Sequence, residues 1–486
     1  MKHLQTRIQQ SKGYKWWVLG VIMLGTFMAV LDITVVNVGL PTIMHAFGVS
    51  LSTAEWVITA YMITMTIMLP TAGWLADKYG NKNLYLIGMV LFTLGSWLCG
   101  RAQTDVFLIA SRALQGIGGG TIQALGLAIV TREFPPSQRS MALGLWAIAS
   151  AASISFGPLI GGYLVDDYSW HWIFDVNVPI GIVGVLATIL IQREWKRPDI
   201  GPFDWVGFVS VATFMPLAIY ALARGNATSN PQGWSSPSVI VPGTIAVIAL
   251  VVFIIAELRS KYPLLNIRLL ADRNFGIAML VLVIFGICMF GGTYLLPLYM
   301  QNGLGYTAIM AGSVFLPVGL IQGILSTLSG FITKYIGTLP QVFCGLAVMT
   351  LSFWFASRFT VDTPHSGIML VLYLRGFGMG LTFAPLNVFS LKNLKHGDMA
   401  AASGISNSIK QLAGSIAVAM LTSILTARTA AHAAHDVGTK AEIYIAGITD
   451  DFLIVTLMTL CCFLPFLLLL RKPRRAAQPT GTTTRP

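Results

Sequence analysis

Fourteen apolar stretches of about 18–25 residues run through this chain, centred near positions 28, 63, 92, 118, 152, 181, 214, 248, 287, 319, 348, 378, 414 and 459. Each is long enough to cross hydrocarbon as a helix. Inside hydrocarbon the helix is favoured because all its backbone polar groups bond within the segment. The expected fold is an all-α integral membrane protein with 14 transmembrane helices, although Pro216 and Pro242 blur the limits of the seventh and eighth. Composition agrees: of 486 residues only 10% are charged, where soluble domains carry about 25%.

Lysine and arginine in the short loops set the expected orientation. With the N-terminus in the cytoplasm, most of the 31 basic residues fall on that side, among them Lys78, Lys82, Arg132, Arg139, Arg193, Lys196, Arg259, Lys334, Lys392 and Arg471. Both termini are then cytoplasmic, and the net charge of +12 reflects this bias and anionic headgroups rather than nucleic acid. The first stretch has no small-residue cleavage site and is expected to remain as a span. Cys99, Cys288, Cys344, Cys461 and Cys462 lack metal-ligand or disulfide spacing, so packing roles and no metal site are expected. The tail 471–486 reads as disordered and cytoplasmic.

Two segments echo each other. Gly73-Trp74-Leu75-Ala76-Asp77-Lys78-Tyr79-Gly80 leaves the second span, and Gly330-Phe331-Ile332-Thr333-Lys334-Tyr335-Ile336-Gly337 leaves the tenth. Arg112 with Gly116, Gly118 and Gly119 in the fourth span resembles Arg375 with Gly376, Gly378 and Gly380 in the twelfth. The similar offsets suggest a duplicated six-helix unit, which places a transport site between halves near mid-membrane. The expected organisation is an N-terminal six-helix bundle over 1–200, two inserted linker spans over 201–270, a C-terminal six-helix bundle over 271–470, and the tail.

Asp32 lies inside the first span, in Leu31-Asp32-Ile33-Thr34-Val35-Val36-Asn37. A carboxylate at bilayer depth costs about 2.5–3.5 kcal/mol on insertion scales and normally binds a proton, an ion or a cationic ligand. Pairing for assembly alone is the other reading. Helical rise puts Arg112 at a similar depth. An arginine favours the charged carboxylate and desolvation disfavours it, so a moving Arg112 would toggle Asp32, whereas a fixed one makes a static bridge. Asp175, about five residues into the sixth span, either shares the same aqueous funnel or is an interfacial acid; Glu55, beside Trp56, reads more readily as interfacial. Asp77 is a candidate acceptor at a helix N-terminus, with Gly73, Gly80 and Lys82 completing a latch. Gly157, Pro158, Gly161 and Gly162 in the fifth span make a pliable, tightly packed seal. Asn37, Arg375, Asn407 and Lys410 are candidates to line the cavity, with snorkelling the alternative for Lys410. The segment from Arg428 to Asp450 reads as the longest outer loop, and its Ala-rich composition with His432 and His435 suggests a partly helical excursion.

Together these segments resemble the major facilitator superfamily, and within it the fourteen-span drug:proton antiporters of the EmrB/QacA type. The resemblance covers nearly the whole chain. It implies a major facilitator fold of two six-helix bundles plus two linker helices, with Asp32 binding a proton or cation and Arg112 relaying the proton. It also implies Asp77 as gating acid and Gly157 with Pro158 as the seal favouring exchange over uptake. Asn81, His171, Glu55 and Asp175 depart from the family pattern, and His171 would make the outer site pH-sensitive. The implied activity is proton-driven efflux of amphipathic, cationic compounds across a bacterial inner membrane. The alternative is export of an endogenous metabolite, siderophore, peptide or lipid. No enzyme chemistry and no cofactor beyond the proton gradient are expected; a periplasmic adaptor and outer-membrane channel are implied partners.

Overall fold

In the computed structural model of the protein, residues 9–11, 13–196, 201–227, 230–392, 394, 399–435 and 438–465 are described; the tail 471–486 lies outside them. The long helices are α1 (Tyr14–Phe47), α2 (Trp56–Tyr79), α3 (Asn81–Cys99), α4 (Asp105–Glu133), α5 (Pro136–Asp167), α6 (Asn177–Ile191) and α7 (Trp205–Gly225). They continue as α8 (Pro237–Arg259), α9 (Arg273–Leu298), α10 (Leu316–Ile336), α11 (Thr338–Ala356), α12 (His365–Leu391), α13 (Met399–His435) and α14 (Lys440–Cys461). Among the described residues thirteen spans are long and apolar enough to cross a membrane. The remaining long helix, α5, has 32 residues and is the fifth of the fourteen.

Successive helices run in opposite directions, giving a proximal end, where α1 begins, and a distal end opposite it. Breaks in the spans gather at the distal end. Glu55 joins the short helix Leu51–Ala54 to α2, Val176 joins Trp172–Asp175 to α6, Ala308–Ser313 precedes α10, and α9 runs into a π-helical turn at Tyr299–Gly303.

Helix pairing repeats with a shift of eight. Contacts of α1 with α4, α5 and α6, of α2 with α4, and of α3 with α4 and α6 recur as α9 with α12, α13 and α14, α10 with α12, and α11 with α12 and α14. Two seams join the sets, α5 against α10 and α2 against α13. Helix α7 packs on α2 and α13 along the second seam, while α8 leans mainly on α7.

Glycines permit the closest approaches. A Cβ on Gly118 would stand 2.4 Å from the Phe92 nitrogen and 2.6 Å from the Gly88 oxygen, both backbone atoms of α3. In the fifth-span motif, Gly157 and Gly161 seat α5 on Thr34 and Val35 of α1, whereas Gly162 meets the backbone of Ala308 and Ile309 across the seam. Gly312 returns the contact against Pro158. The Asp166 carboxylate accepts hydrogen bonds from the Ala308 and Ile309 amides at 3.1 and 2.6 Å, and Gln301 donates to the Val38 carbonyl at 2.9 Å.

The distal end is therefore closed. Leu31 through Pro41 are all buried, but Met23, Leu24, Phe27 and Val30 nearer the proximal end are partly exposed. Gly73 and Gly330, which open the two echoed segments, face open space. The halves meet distally and part proximally.

The segment from Arg428 to Asp450, expected as a partly helical outer loop, is mostly helix among the described residues. Helix α13 continues to His435, and α14 starts at Lys440 behind a Thr439–Glu442 capping box. Asp450 ties the two together through Arg428 at 3.6 Å and His432 at 3.1 Å. Cys344 and Cys461 are exposed, so only Cys99, Cys288 and Cys462 pack inside.

Gly118→Leu is expected to destabilise the protein by about 1–3 kcal/mol or more, since the atoms it meets are backbone and cannot rotate away. Thermal unfolding in detergent should show the loss, while Gly73→Ala should leave the midpoint unchanged or raise it.

Candidate functional site: a buried charge pair in the first half

Asp32 and Arg112 come together in the centre of the first bundle, 0% and 1% exposed. Arg112 Nη1 donates to Asp32 Oδ2 at 2.5 Å, while its Nε donates to the Val57 carbonyl at 2.8 Å. Tyr61 lies under the guanidinium, 4.3 Å from ring centre to Cζ, and Phe174 flanks it at 5.6 Å. Asp32 Oδ1 accepts from Gln115 Nε2 at 2.8 Å and from Asn177 Nδ2 at 3.3 Å. Ser96 accepts from the same two amides at 3.1 and 3.2 Å and donates to the Phe174 carbonyl. The carboxylate thus meets one charged and two neutral donors, a set built to hold negative charge away from water.

Local sequence explains who reaches the site. Gln115 stands three residues after Arg112 on one helical face, and this spacing was its available signal. Asn177 arrives because the sixth span restarts after Val176. Nothing in the local pattern pairs Asn177 or Ser96 with Asp32.

That same break corrects the reading of Asp175 as a partner in an aqueous funnel with Asp32. It lies on the separate distal turn Trp172–Asp175 and pairs with Arg101 at 2.8 Å, the arginine being 54% exposed. Glu55 is corrected in the opposite sense. Instead of facing the interface it is fully buried at the distal end of the α2/α13 seam. His171 stacks on Trp170 with 3.7 Å between ring centres, and its Nδ1 lies 2.8 Å from the Ser169 hydroxyl. Burial lowers its pKa below the ordinary 6.5, so it stays neutral at pH 7 and gains charge only in more acid solution.

At the latch, the acid at the N-terminus of α3 is Glu194 rather than Asp77. Its carboxylate accepts from the Lys82 and Asn83 amides, each at 3.2 Å. Asp77 sits near Arg132 of α4. Lys82 Nζ donates to the Ile189 carbonyl at 2.7 Å. Gly80 has φ +104°, a conformation side chains rarely adopt, and a Cβ there would strike Glu194.

In the second half Arg375 is as buried as Arg112, but among the described residues no carboxylate pairs with it. It donates to the Met289 carbonyl at 2.6 Å and to the Thr293 hydroxyl, and its Nε has no partner. Gly292 of α9 faces the guanidinium where α1 offers Asp32 to Arg112. Lys410 is half-buried, 5.4 Å from the centre of the Phe383 ring, and Asn407 is half-buried on the same helix. Asn37 is buried and donates to the Ile33 carbonyl at 3.0 Å.

Comparison with known proteins adds three findings. The sequence profile of the Major Facilitator Superfamily matches residues 22–418. The chain is 34% identical over 413 residues to the multidrug export protein EmrB of Escherichia coli (strain K12), covering 85% of this chain and 80% of that one. It is also 31% identical over 418 residues to the fatty acid resistance protein FarB of Neisseria gonorrhoeae, covering 86% and 82%. In fold it is similar to a bacterial homologue of the human lysosomal transporter Spinster, described as inward-facing and unoccupied. That likeness has a TM-score of 0.67 at 14% identity, covering 95% of this chain and 98% of the other.

Removing one member of a buried pair strands the other. Arg112→Ala is expected to cost about 3–5 kcal/mol, and Asp32→Asn added to it should recover most of that loss. Unfolding of the single and double variants in detergent measures the coupling; simple additivity would contradict it.

Proposed function

The chain belongs to the Major Facilitator Superfamily, and we propose that it is a proton-driven multidrug efflux antiporter for amphipathic, cationic compounds such as quaternary ammonium biocides and dyes. The observation that carries this reading is the Asp32–Arg112 pair with its two amide donors. Protonation of Asp32 removes the charge that holds Arg112 Nη1, while Nε stays anchored to Val57 on α2. The bond that ties α1 to α4 then weakens, and this is the step that links a proton to the rocking of the halves. Deprotonation of Asp32 favours capture of a cationic cargo, and protonation favours its release. The relationship to EmrB, a multidrug export protein, supports efflux.

The excess of Lys and Arg at the proximal end supports placing it, with both termini, in the cytoplasm of a bacterial inner-membrane protein. The open side is then cytoplasmic. Gly162 and Gly312 hold the outer side shut by backbone contact. Proposed partners for onward passage are a periplasmic adaptor and outer-membrane channel, with the α13–α14 tip as the surface offered to them.

A second reading, export of an amphipathic acid, is favoured by Lys410 beside Phe383 and by the relationship to FarB, a fatty acid resistance protein. Other endogenous cargo, whether metabolite, siderophore or peptide, would use the same machinery.

Reconstitution in liposomes with a proton gradient opposed to cargo flow separates these readings. Ethidium should move with wild type and stop with Asp32→Asn. Equal movement by both would remove Asp32 from coupling. Transport of a long-chain fatty acid, lost in Lys410→Ala, with no ethidium transport would replace the cationic reading by the acidic one.

A further inference from the structure

Glu55 belongs to the first half, at the joint before α2, yet its polar surroundings come from the second. It is 0% exposed, and among the described residues neither carboxyl oxygen meets a donor in good hydrogen-bond geometry. Thr422 of α13 lies beside it and Tyr294 of α9 faces it. Those two hydroxyls are 2.6 Å apart and bonded to each other. One turn along α2, the buried Thr59 hydroxyl also has no partner. On the other side of Tyr294 stands Asp451 of α14, likewise 0% exposed and unpartnered at both oxygens, with Tyr444 of the same helix and Arg428 of α13 in its surroundings.

The contrast with Asp32 is chemical. Asp32 has an arginine and two amides bonded to its carboxylate, whereas Glu55 has only the Thr422 hydroxyl near enough to favour its charge. A charged group without compensation is strongly disfavoured in such a place and neutralises instead. Asp451 lies on α14, which packs on α9, α11 and α13 of the second half, so separation of the halves leaves those neighbours in place. Glu55 alone changes environment, because Thr422 and Tyr294 move away from it when the distal end opens.

We propose that Glu55 is a second proton-binding site, separate from Asp32, and that its protonation permits the distal ends of the two halves to close. A proton taken from the distal solution forms the O–H of Glu55, the neutral acid enters the seam, and reopening returns it to water. The proposal deepens the antiport reading and rests on it only for the direction in which the proton is then carried.

The test reads the distal gate without cargo. Spin labels at Tyr168→Cys and Met310→Cys, two exposed positions on either side of it, report the gap in the full chain in nanodiscs once exposed Cys344 and Cys461 are replaced by serine. In wild type the closed population should fall as pH rises. Glu55→Gln should remain closed throughout, and Asp32→Asn should keep a transition. Glu55→Asp provides a titrating variant that keeps the site acidic, and it should shift the midpoint. An unchanged transition in Glu55→Gln, an unmoved midpoint in Glu55→Asp, or a wild-type gap indifferent to pH would each overturn the proposal. Wild type that moves no cargo in liposomes yet shows the Glu55-dependent transition would sink the antiport reading and support this one.

Discussion

A charge buried in hydrocarbon must be answered by another charge or by enough donors to replace water, and the Asp32–Arg112 pair is where this chain meets that requirement. Much of the first half is arranged around it. Arg112 reaches α1 from α4 and holds α2 through Val57, Gln115 adds a second arm from α4, and Asn177 ties in α6. The carboxylate thus joins α1 to α4 and α6, and Arg112 carries the link on to α2.

The two halves repeat one packing plan but not one chemistry. Arg375 repeats the position of Arg112 and its burial, while the matching face of α9 carries Gly292 and Thr293 and offers backbone and hydroxyl oxygens. The first half holds a charge pair at its centre; the second is held by neutral acceptors. The seams differ as well. Between α5 and the segment leading into α10, glycines bring backbones together and Asp166 caps the helix opposite. Between α2 and α13 the contacts are side chains: Gly414 admits Met62, Gln411 donates to the Met65 sulfur, and Glu55 lies at the distal end. The inserted α7 covers this second seam.

Membrane character, the number and order of spans and the repeat were legible in the sequence, because hydrophobic length and short-range motifs are properties of contiguous residues. So was the pairing of Asp32 with Arg112, since helical rise places both at one depth. Asn177 and Ser96 were not, because no local rule joins residues that meet only through packing. The latch shows the same limit: Asp77 sits in the motif, but the α3 N-terminus is met by Glu194, which returns from the far end of the sixth span.

Depth along a span can be counted from sequence, but the direction a side chain faces and the half it meets cannot. Asp175 and Glu55 carry the same charge near the same end of the bundle, and position along a span does not tell which of them is hidden. One lies on a detached turn within reach of Arg101 and water; the other is enclosed by the opposite half beside Thr422 and Tyr294. The sequence by itself determined a fourteen-span, duplicated helical protein with an acid–base pair in its first half. Tertiary structure decided which further acid is hidden and which is paired, because burial is set by contacts between segments hundreds of residues apart.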